Sequence, residues 1–349
     1  MPRVVLDLRK WDDYGIGTYL KVLTAGLLEL APPGFEFCAL HRDPLGPLPF
    51  PARPFRAGDY SLQALALAGL AARRAGGDLL HIPHFTLPLA GPPAVLTVHD
   101  LIHLRFPGEF GRWRTAVLRR YLRWALRRAV RVITVSEASR DDLAAFLPAA
   151  APKLRVIPNA ALADYYAQPP LPRGDYFLFI GNAKPHKGIP LLLDAWTRFH
   201  ASHPDRRLVL VTPGGFSGPG VETRRSIPAE EMPRLVASAR ALLAPSQWEG
   251  FDLPVLEAVL TRTPVVASDI PAHRELLGPD HPLLYPAGDA GALRMRLEEA
   301  HRYGVSEERL DALRARHAGH TPRAMAAATL AVYREALEAV RLPLRPDSR

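Results

Sequence analysis

Short apolar runs of strand length alternate with longer stretches in which apolar residues recur at helical spacing. This alternation predicts an α/β architecture built on parallel sheets. The runs at 4–8, 35–40, 79–83, 94–98 and 132–135 read as strands. Helices are expected from a glycine turn at 15–19 to about residue 30, over the alanine- and leucine-rich stretch 59–72, and over 112–131. A proline-rich stretch with little periodicity places a linker near 159–172. A second cycle follows. Strands at 176–180, 207–211, 241–244 and 264–267 alternate with helices at 189–200, 230–239 and 253–261, and a final helix covers 322–340. No repeat of fixed period interrupts the pattern.

A length of 349 residues agrees with two domains, at roughly 150 residues each. An apolar content of 48% with 23% charged residues is that of a globular protein and excludes a disordered chain. The longest nearly apolar stretch, 62–72, is too short to span a bilayer. The first residues run from Val4-Val5-Leu6 straight into Asp7 and Arg9, without a signal-peptide core. Cys38 is the only cysteine, which excludes an intrachain disulfide and a cysteine-based zinc site. The expected compartment is the cytoplasm. The net charge of +9 suits an anionic partner without choosing one.

Ligands of open α/β sheets bind beyond the carboxyl ends of the strands, so the residues just after each strand carry the most information. Glu249-Gly250-Phe251-Asp252-Leu253-Pro254-Val255-Leu256-Glu257 follows the strand at 241–244 and enters a helix. Gly250 permits close backbone approach, Pro254 fits a first helical turn, and the free amides there favour an anion or sugar hydroxyls. Glu249 and Glu257 can each accept two hydrogen bonds from a vicinal diol. Gly181-Asn182-Ala183-Lys184-Pro185-His186-Lys187-Gly188 follows the strand at 176–180 and carries two of the chain's five lysines, a plausible diphosphate cradle. His99 ends the strand at 94–98, where it can donate to a sugar oxygen. Thr212-Pro213-Gly214-Gly215 is a candidate lining for a base pocket.

The E-x7-E spacing with an internal Gly-Phe-x-Leu-Pro resembles the signature of the retaining GT-B glycosyltransferases of family 4, in their mannosyltransferase-like group. Ala244-Pro245-Ser246 before it and Thr263-Pro264-Val265-Val266-Ala267-Ser268 after it agree. The resemblance implies two Rossmann-like domains facing across a cleft. It places Glu249 beside the donor sugar, the Gly250 and Phe251 amides at its hydroxyls, and Glu257 on the ribose, with Asp252 where the family's second glycine usually stands. Lys187 matches the family's phosphate-binding lysine. No arginine accompanies it, so Lys184 or His186 supplies the second charge, and Lys184 is the choice. His99 resembles the family's N-domain histidine, and Gly15-Ile16-Gly17 the glycine loop near the diphosphate.

The chain is therefore read as an acceptor-side domain at 1–165, a nucleotide-sugar-binding domain at 166–325 that includes Gly181, Lys184, Gly250, Phe251, Asp252 and Leu253 in the donor site, and a C-terminal helix and tail at 326–349 packing back on the first. The expected activity is retaining transfer of a hexose from GDP-mannose or a UDP-hexose to a carbohydrate or lipid-linked hydroxyl in cell-surface polysaccharide or glycolipid synthesis. His99, Lys187 and Glu249 are the expected catalytic residues. No cofactor and no metal ion are expected. A sugar-nucleotide epimerase on the same fold and a basic nucleic-acid-binding protein are the rivals. Nucleic acid is not expected as a partner, although Arg112, Arg119, Arg120, Arg123, Arg127 and Arg131 share one broad face of the helix at 112–131. An anionic membrane surface, at the inner membrane face, fits that helix better. The His99…His103 spacing is not read as a zinc motif, and His81-Ile82-Pro83-His84 is read as loop packing.

Overall fold

A computed structural model describes residues 1–42, 50–58 and 61–341. Asp59, where the second helix is expected to start, and the tail at 342–349 lie outside them. The chain divides into two compact units. The first runs from Met1 to Asn159 and takes the chain back from Pro322 onward; the second covers Ala160 to Thr321. The expected division at 165/166 thus lies six residues further along the chain, and the return to the first unit begins at Pro322, where the final helix is expected to start, rather than at 326.

The first unit is a seven-stranded parallel sheet of β1 (Arg3–Asp7), β2 (Glu36–His41), β3 (Ala52–Pro54), β4 (Leu79–Ile82), β5 (Ala94–Val98), β6 (Arg131–Thr134) and β7 (Leu154–Val156). Its order is β3-β2-β1-β4-β5-β6-β7. β4 and β5 are buried at every position, as strands covered on both faces must be. The helices Leu62–Arg74 and Arg112–Arg128 press Ala72, Leu122, Ala125 and Leu126 onto one core with Leu80, Ile82 and Leu96. The helices Tyr14–Leu30 and Pro322–Arg341 pack on each other, so closely that a Cβ on Gly26 would lie 2.0 Å from the Pro322 carbonyl oxygen.

The second unit is a six-stranded parallel sheet of β8 (Tyr176–Ile180), β9 (Arg207–Val211), β10 (Val221–Arg224), β11 (Ala241–Ala244), β12 (Val265–Ser268) and β13 (Leu284–Tyr285), in the order β10-β9-β8-β11-β12-β13. Its core gathers Phe177, Phe179, Trp196, Phe199 and Tyr285. In both sheets the order reverses beside the first strand, between β1 and β4 and between β8 and β11.

Several expectations need correction. The helix expected over 112–131 stops at Arg128, and Arg131 is the first residue of β6, hydrogen-bonded to Glu335 instead of sharing the basic face. The glycines at 15 and 17 lie inside the helix Tyr14–Leu30 rather than in a turn before it. The stretch read as a linker contains the short helix Ala163–Ala167, with Tyr165 buried. His81 is not a loop residue but a core residue of β4. The strands β3, β7, β10 and β13 and the helices Glu137–Phe146, Pro271–Leu277, Ala290–Arg302 and Glu307–Arg316 have no counterpart in the sequence reading.

Candidate functional site

The two segments singled out in the second unit leave the sheet from neighbouring strands at its reversal point, after β8 and after β11. The chain winds outward from that pair in both directions, so the loops diverge and leave room for a ligand. They are also tied together. The Gln247 amide donates to the His186 carbonyl at 2.8 Å. Gly188 has φ +72°, and a Cβ there would lie 2.3 Å from the Pro245 carbonyl oxygen. Gly188 is needed both for its conformation and for the contact.

This contact places the end of one loop on the start of the other. Lys187 Nζ donates to Glu249 Oε1 at 2.6 Å, with the two side chains 17% and 8% exposed. Two of the residues expected to act are therefore paired. His186 is buried, whereas Lys184 is exposed and its amide donates to Asn182 Oδ1 at 3.1 Å. Gly250 and Phe251 are buried, and Leu253 opens the helix Leu253–Leu260.

Glu257 is one turn into that helix and buried. Burial pushes its carboxyl up to about 8, against the pull of a hydrogen bond from Tyr165 and with a further push from Asp252. At neutral pH it is mostly protonated and can both donate to and accept from a diol. Tyr165 was missed in the sequence because it falls in the proline-rich stretch. Its burial and its bond to Glu257 make that stretch part of the second unit.

In the first unit, the reversal point gathers charges that the sequence reading passed over. Arg9 donates to Asp7 through Nε at 2.8 Å and Nη2 at 2.6 Å, both side chains being almost fully buried. Burial pushes the Asp7 carboxyl up, but the bonds and charge of Arg9, with the charge of His84, outweigh this and leave it below the usual carboxylate range. Lys10 is buried too and donates to Asp13 Oδ2 at 2.6 Å. Burial pushes His84 down to about 3, as it does His81. The available signal was a cluster of charges at the end of the first buried strand, Asp7, Arg9 and Lys10.

His99 follows β5. Its Nε2 lies 2.9 Å from the Pro83 carbonyl oxygen, and its ring meets Tyr19 edge-on at 4.9 Å. Burial holds the imidazole below the usual histidine range, against the opposing pull of Asp100 and of the Pro83 carbonyl. A neutral ring bonded in this way has Nε2–H as donor, which leaves Nδ1 as an acceptor. Gly17 is buried, and a Cβ there would lie 2.3 Å from the Trp11 carbonyl oxygen. Gly15 is exposed, with no atom within 4 Å of a built Cβ. One of these glycines is required for packing, and the other leaves the helix start open.

Two parallel sheets, each with its chemistry at the reversal point, match known proteins along nearly the whole chain. A family model described as Glycosyltransferase Family 4 matches residues 21–161, and one described as Glycosyl transferases group 1 matches 174–302. The chain belongs to glycosyltransferase family 4. Among its relatives, the O-antigen chain mannosyltransferase B of Escherichia coli is 29% identical over 62% of this chain and 63% of its own. The MMP alpha-(1->4)-mannosyltransferase of Mycolicibacterium hassiacum is 32% identical over 63% of this chain and 60% of its own. The match thus spans less than two thirds of these relatives. Sucrose-phosphate synthase from Thermosynechococcus elongatus superposes with a TM-score of 0.74 at 19% identity, covering 97% of this chain and all of that one. Anabaena HepE, solved in complex with UDP and glucose, has a TM-score of 0.67 at 18% identity, covering 97% and 98%. The fold is the two-domain α/β GT-B fold.

Proposed function

We propose that this glycosyltransferase moves a hexose from a nucleotide-diphosphate sugar to an acceptor hydroxyl, retaining the anomeric configuration and using no metal ion. The observation that carries the reading is the Lys187–Glu249 pair, held at the meeting of the loops after β8 and β11, with Glu257 one turn further along. A diphosphate arriving at the loop competes with Glu249 for the Lys187 ammonium. The cation then stabilises the departing phosphate, and the released carboxylate can accept from the hexose hydroxyls. An ammonium and helix-start amides supply the positive potential needed as the glycosidic bond breaks. Lys184 adds a second, exposed charge. Glu257, set by Tyr165, holds the ribose. In the first unit, His99 is assigned to hydrogen-bonding the transferred sugar and the helix start at Gly15 and Gly17 to the substrate. The leaving phosphate takes the acceptor proton, so no enzymic nucleophile is required.

The names of the relatives favour mannose as the sugar, and the neighbour holding UDP and glucose leaves a UDP-hexose as the other donor. The O-antigen relative supports a role in cell-surface polysaccharide synthesis. The test is turnover of GDP-mannose and UDP-hexoses with EDTA present. Lys187→Ala should lower kcat on the order of 10²-fold, and unchanged turnover in that variant ends the assignment. Release of a free epimerised sugar nucleotide without acceptor would favour the epimerase instead.

We also propose that the first unit meets an anionic membrane. The helix Arg112–Arg128 exposes Trp113 (69%) and Val117 (59%) among Arg112, Arg114, Arg119 and Arg120. The helix Leu62–Arg74 exposes Leu62, Leu67 and Leu70 on the same face of the sheet. The segment between them bridges the two, with the Leu89 amide on the Leu65 carbonyl and the Tyr121 hydroxyl on the Leu87 carbonyl. Apolar side chains rimmed by guanidinium groups suit an anionic interface. Among the described residues no helix is long and apolar enough to cross a membrane. Co-sedimentation with phosphatidylglycerol vesicles should be salt-sensitive and weakened by Trp113→Ser with Val117→Ser. Equal binding to phosphatidylcholine vesicles, or stronger binding to random duplex DNA, overturns it.

A further inference from the structure

Asp252 closes the loop after β11 just before the helix Leu253–Leu260, and its backbone is in the left-handed region at φ 68°. Such a conformation disfavours any residue with a side chain, though aspartate is among those that tolerate it best. The side chain is 6% exposed, and Oδ2 lies 3.0 Å from Nε2 of His273, whose own side chain is fully buried. The other ring nitrogen of His273, Nδ1, lies 2.7 Å from the Ser268 carbonyl oxygen and 3.2 Å from Ser268 Oγ. That hydroxyl donates to the Ser246 carbonyl, so it faces the ring as an acceptor too. Nδ1 must therefore carry a proton. If Nε2 were bare, it and the Asp252 carboxylate would face each other as two acceptors. The geometry is satisfied by one proton held between Nε2 and the Asp252 carboxyl.

The pair is placed for more than relief of the turn. The charge of Lys187 acts on Asp252, and Asp252 acts on Glu257. The carboxylate is thus within electrostatic reach of both the residue assigned to the diphosphate and hexose and the residue assigned to the ribose. Lys187 and Glu249 form one hydrogen-bonded pair of this region, and Asp252 and His273 form a second. When a diphosphate draws Lys187 away from Glu249, the Asp252–His273 pair remains fixed, because His273 is anchored at its far side to β12 through Ser268.

We propose that the Asp252 side chain is a sugar-recognising group of the donor site and that His273 is its positioning residue. Asp252 accepts a hydrogen bond from a hydroxyl of the bound hexose, and His273 fixes the carboxylate that does so. This rests on the donor-site reading above and adds to it the carboxylate of Asp252.

The test compares two ligands of one base, the nucleotide diphosphate and the corresponding sugar nucleotide, by calorimetry and by kinetics. Asp252→Asn keeps the shape and can still bond to the ring by donating to Nε2. Asp252→Gly relieves the left-handed backbone altogether. Both should weaken the sugar nucleotide by about 10- to 100-fold, the range for a hydrogen bond to a charged group, and leave the nucleotide diphosphate within about twofold of the wild type. His273→Gln, which retains a donor, should fall between the wild type and His273→Ala. A merely structural pair would leave Asp252→Asn like the wild type for both ligands, and that result overturns the proposal. Equal loss for both ligands overturns it as well. Failure of the wild type to bind either ligand would instead overturn the donor-site reading itself.

Discussion

Glu257 is a residue whose ionisation should be visible in the stability of the whole protein. Burial raises its carboxyl from 4.5 to about 8, so between those values the folded state holds a proton that the unfolded chain has released. Its stabilising contribution is complete below pH 4.5 and is lost as the pH rises through 8. His81 and His84 act in the other direction. Burial depresses both from 6.5 to about 3, so their contribution is present above pH 6.5 and is lost as the pH falls toward 3. Denaturant midpoints measured from pH 4 to 9 should therefore fall on both sides, and Glu257→Gln should flatten the alkaline side alone. An unchanged alkaline side in that variant would show that the carboxyl is ionised in the fold. Glu257 itself was legible in the sequence, because a nine-residue motif is local. Tyr165 and His273, which fix Glu257 and Asp252, were not. Each meets its partner only through tertiary packing, and no local spacing records such a contact.

Elements built from one kind of environment were read well. β8 and β11 are short continuous apolar runs, β9 is one after its first residue, Arg207, and the expected bounds of all three agree with the structure. The edge strand β10, Val221–Arg224, is half-buried throughout and carries two charged residues, so its sequence has no buried-strand signature. The helix Glu307–Arg316 buries only Leu310 and Leu313 and likewise lacks a clear apolar stripe. The loops between elements are set by glycines, which make a sharper test. Gly188→Ala meets both a left-handed φ and the Pro245 carbonyl oxygen 2.3 Å away. It should cost about 1–3 kcal/mol and separate Lys187 from Glu249, lowering nucleotide affinity with it. Gly15→Ala meets nothing and lies in the first turn of a helix. It should leave the melting temperature unchanged or raised, since alanine is favoured over glycine in a helix by about 1 kcal/mol. If the helix start approaches the substrate, the same variant loses turnover despite its stability. Full activity in a stable Gly15→Ala protein would remove that glycine from the site.

At the scale of the whole molecule, the chain returns to its first unit after completing the second. The final helix, Pro322–Arg341, is tied to the first sheet at several levels. Tyr333 is fully buried, and its hydroxyl lies 2.6 Å from Nδ1 of His81 in β4. His81 continues through Nε2 to Thr97 in β5 at 2.8 Å, and Thr97 to the Tyr19 hydroxyl at 2.9 Å. Glu335 accepts from Arg131 of β6 at 3.0 Å and from Arg155 of β7 at 2.7 Å. Met325, Ala326, Leu330 and Ala336 are buried alongside. Removing the helix strips a buried histidine and two arginines of one partner each and uncovers apolar surface on the first unit, to which the helix belongs. A chain shortened to residues 1–321 should therefore lose stability selectively. In calorimetry, the transition of the first unit should move to markedly lower temperature, while the transition that responds to nucleotide diphosphate, by preferential binding to the folded second unit, stays in place. A peptide of residues 322–341 added in trans should restore the first transition, whereas Tyr333→Phe in the full chain should lower it only in part, since it removes one hydrogen bond and leaves the packing intact. A shortened chain in which both transitions fell together would mean that the helix supports the molecule as one cooperative body.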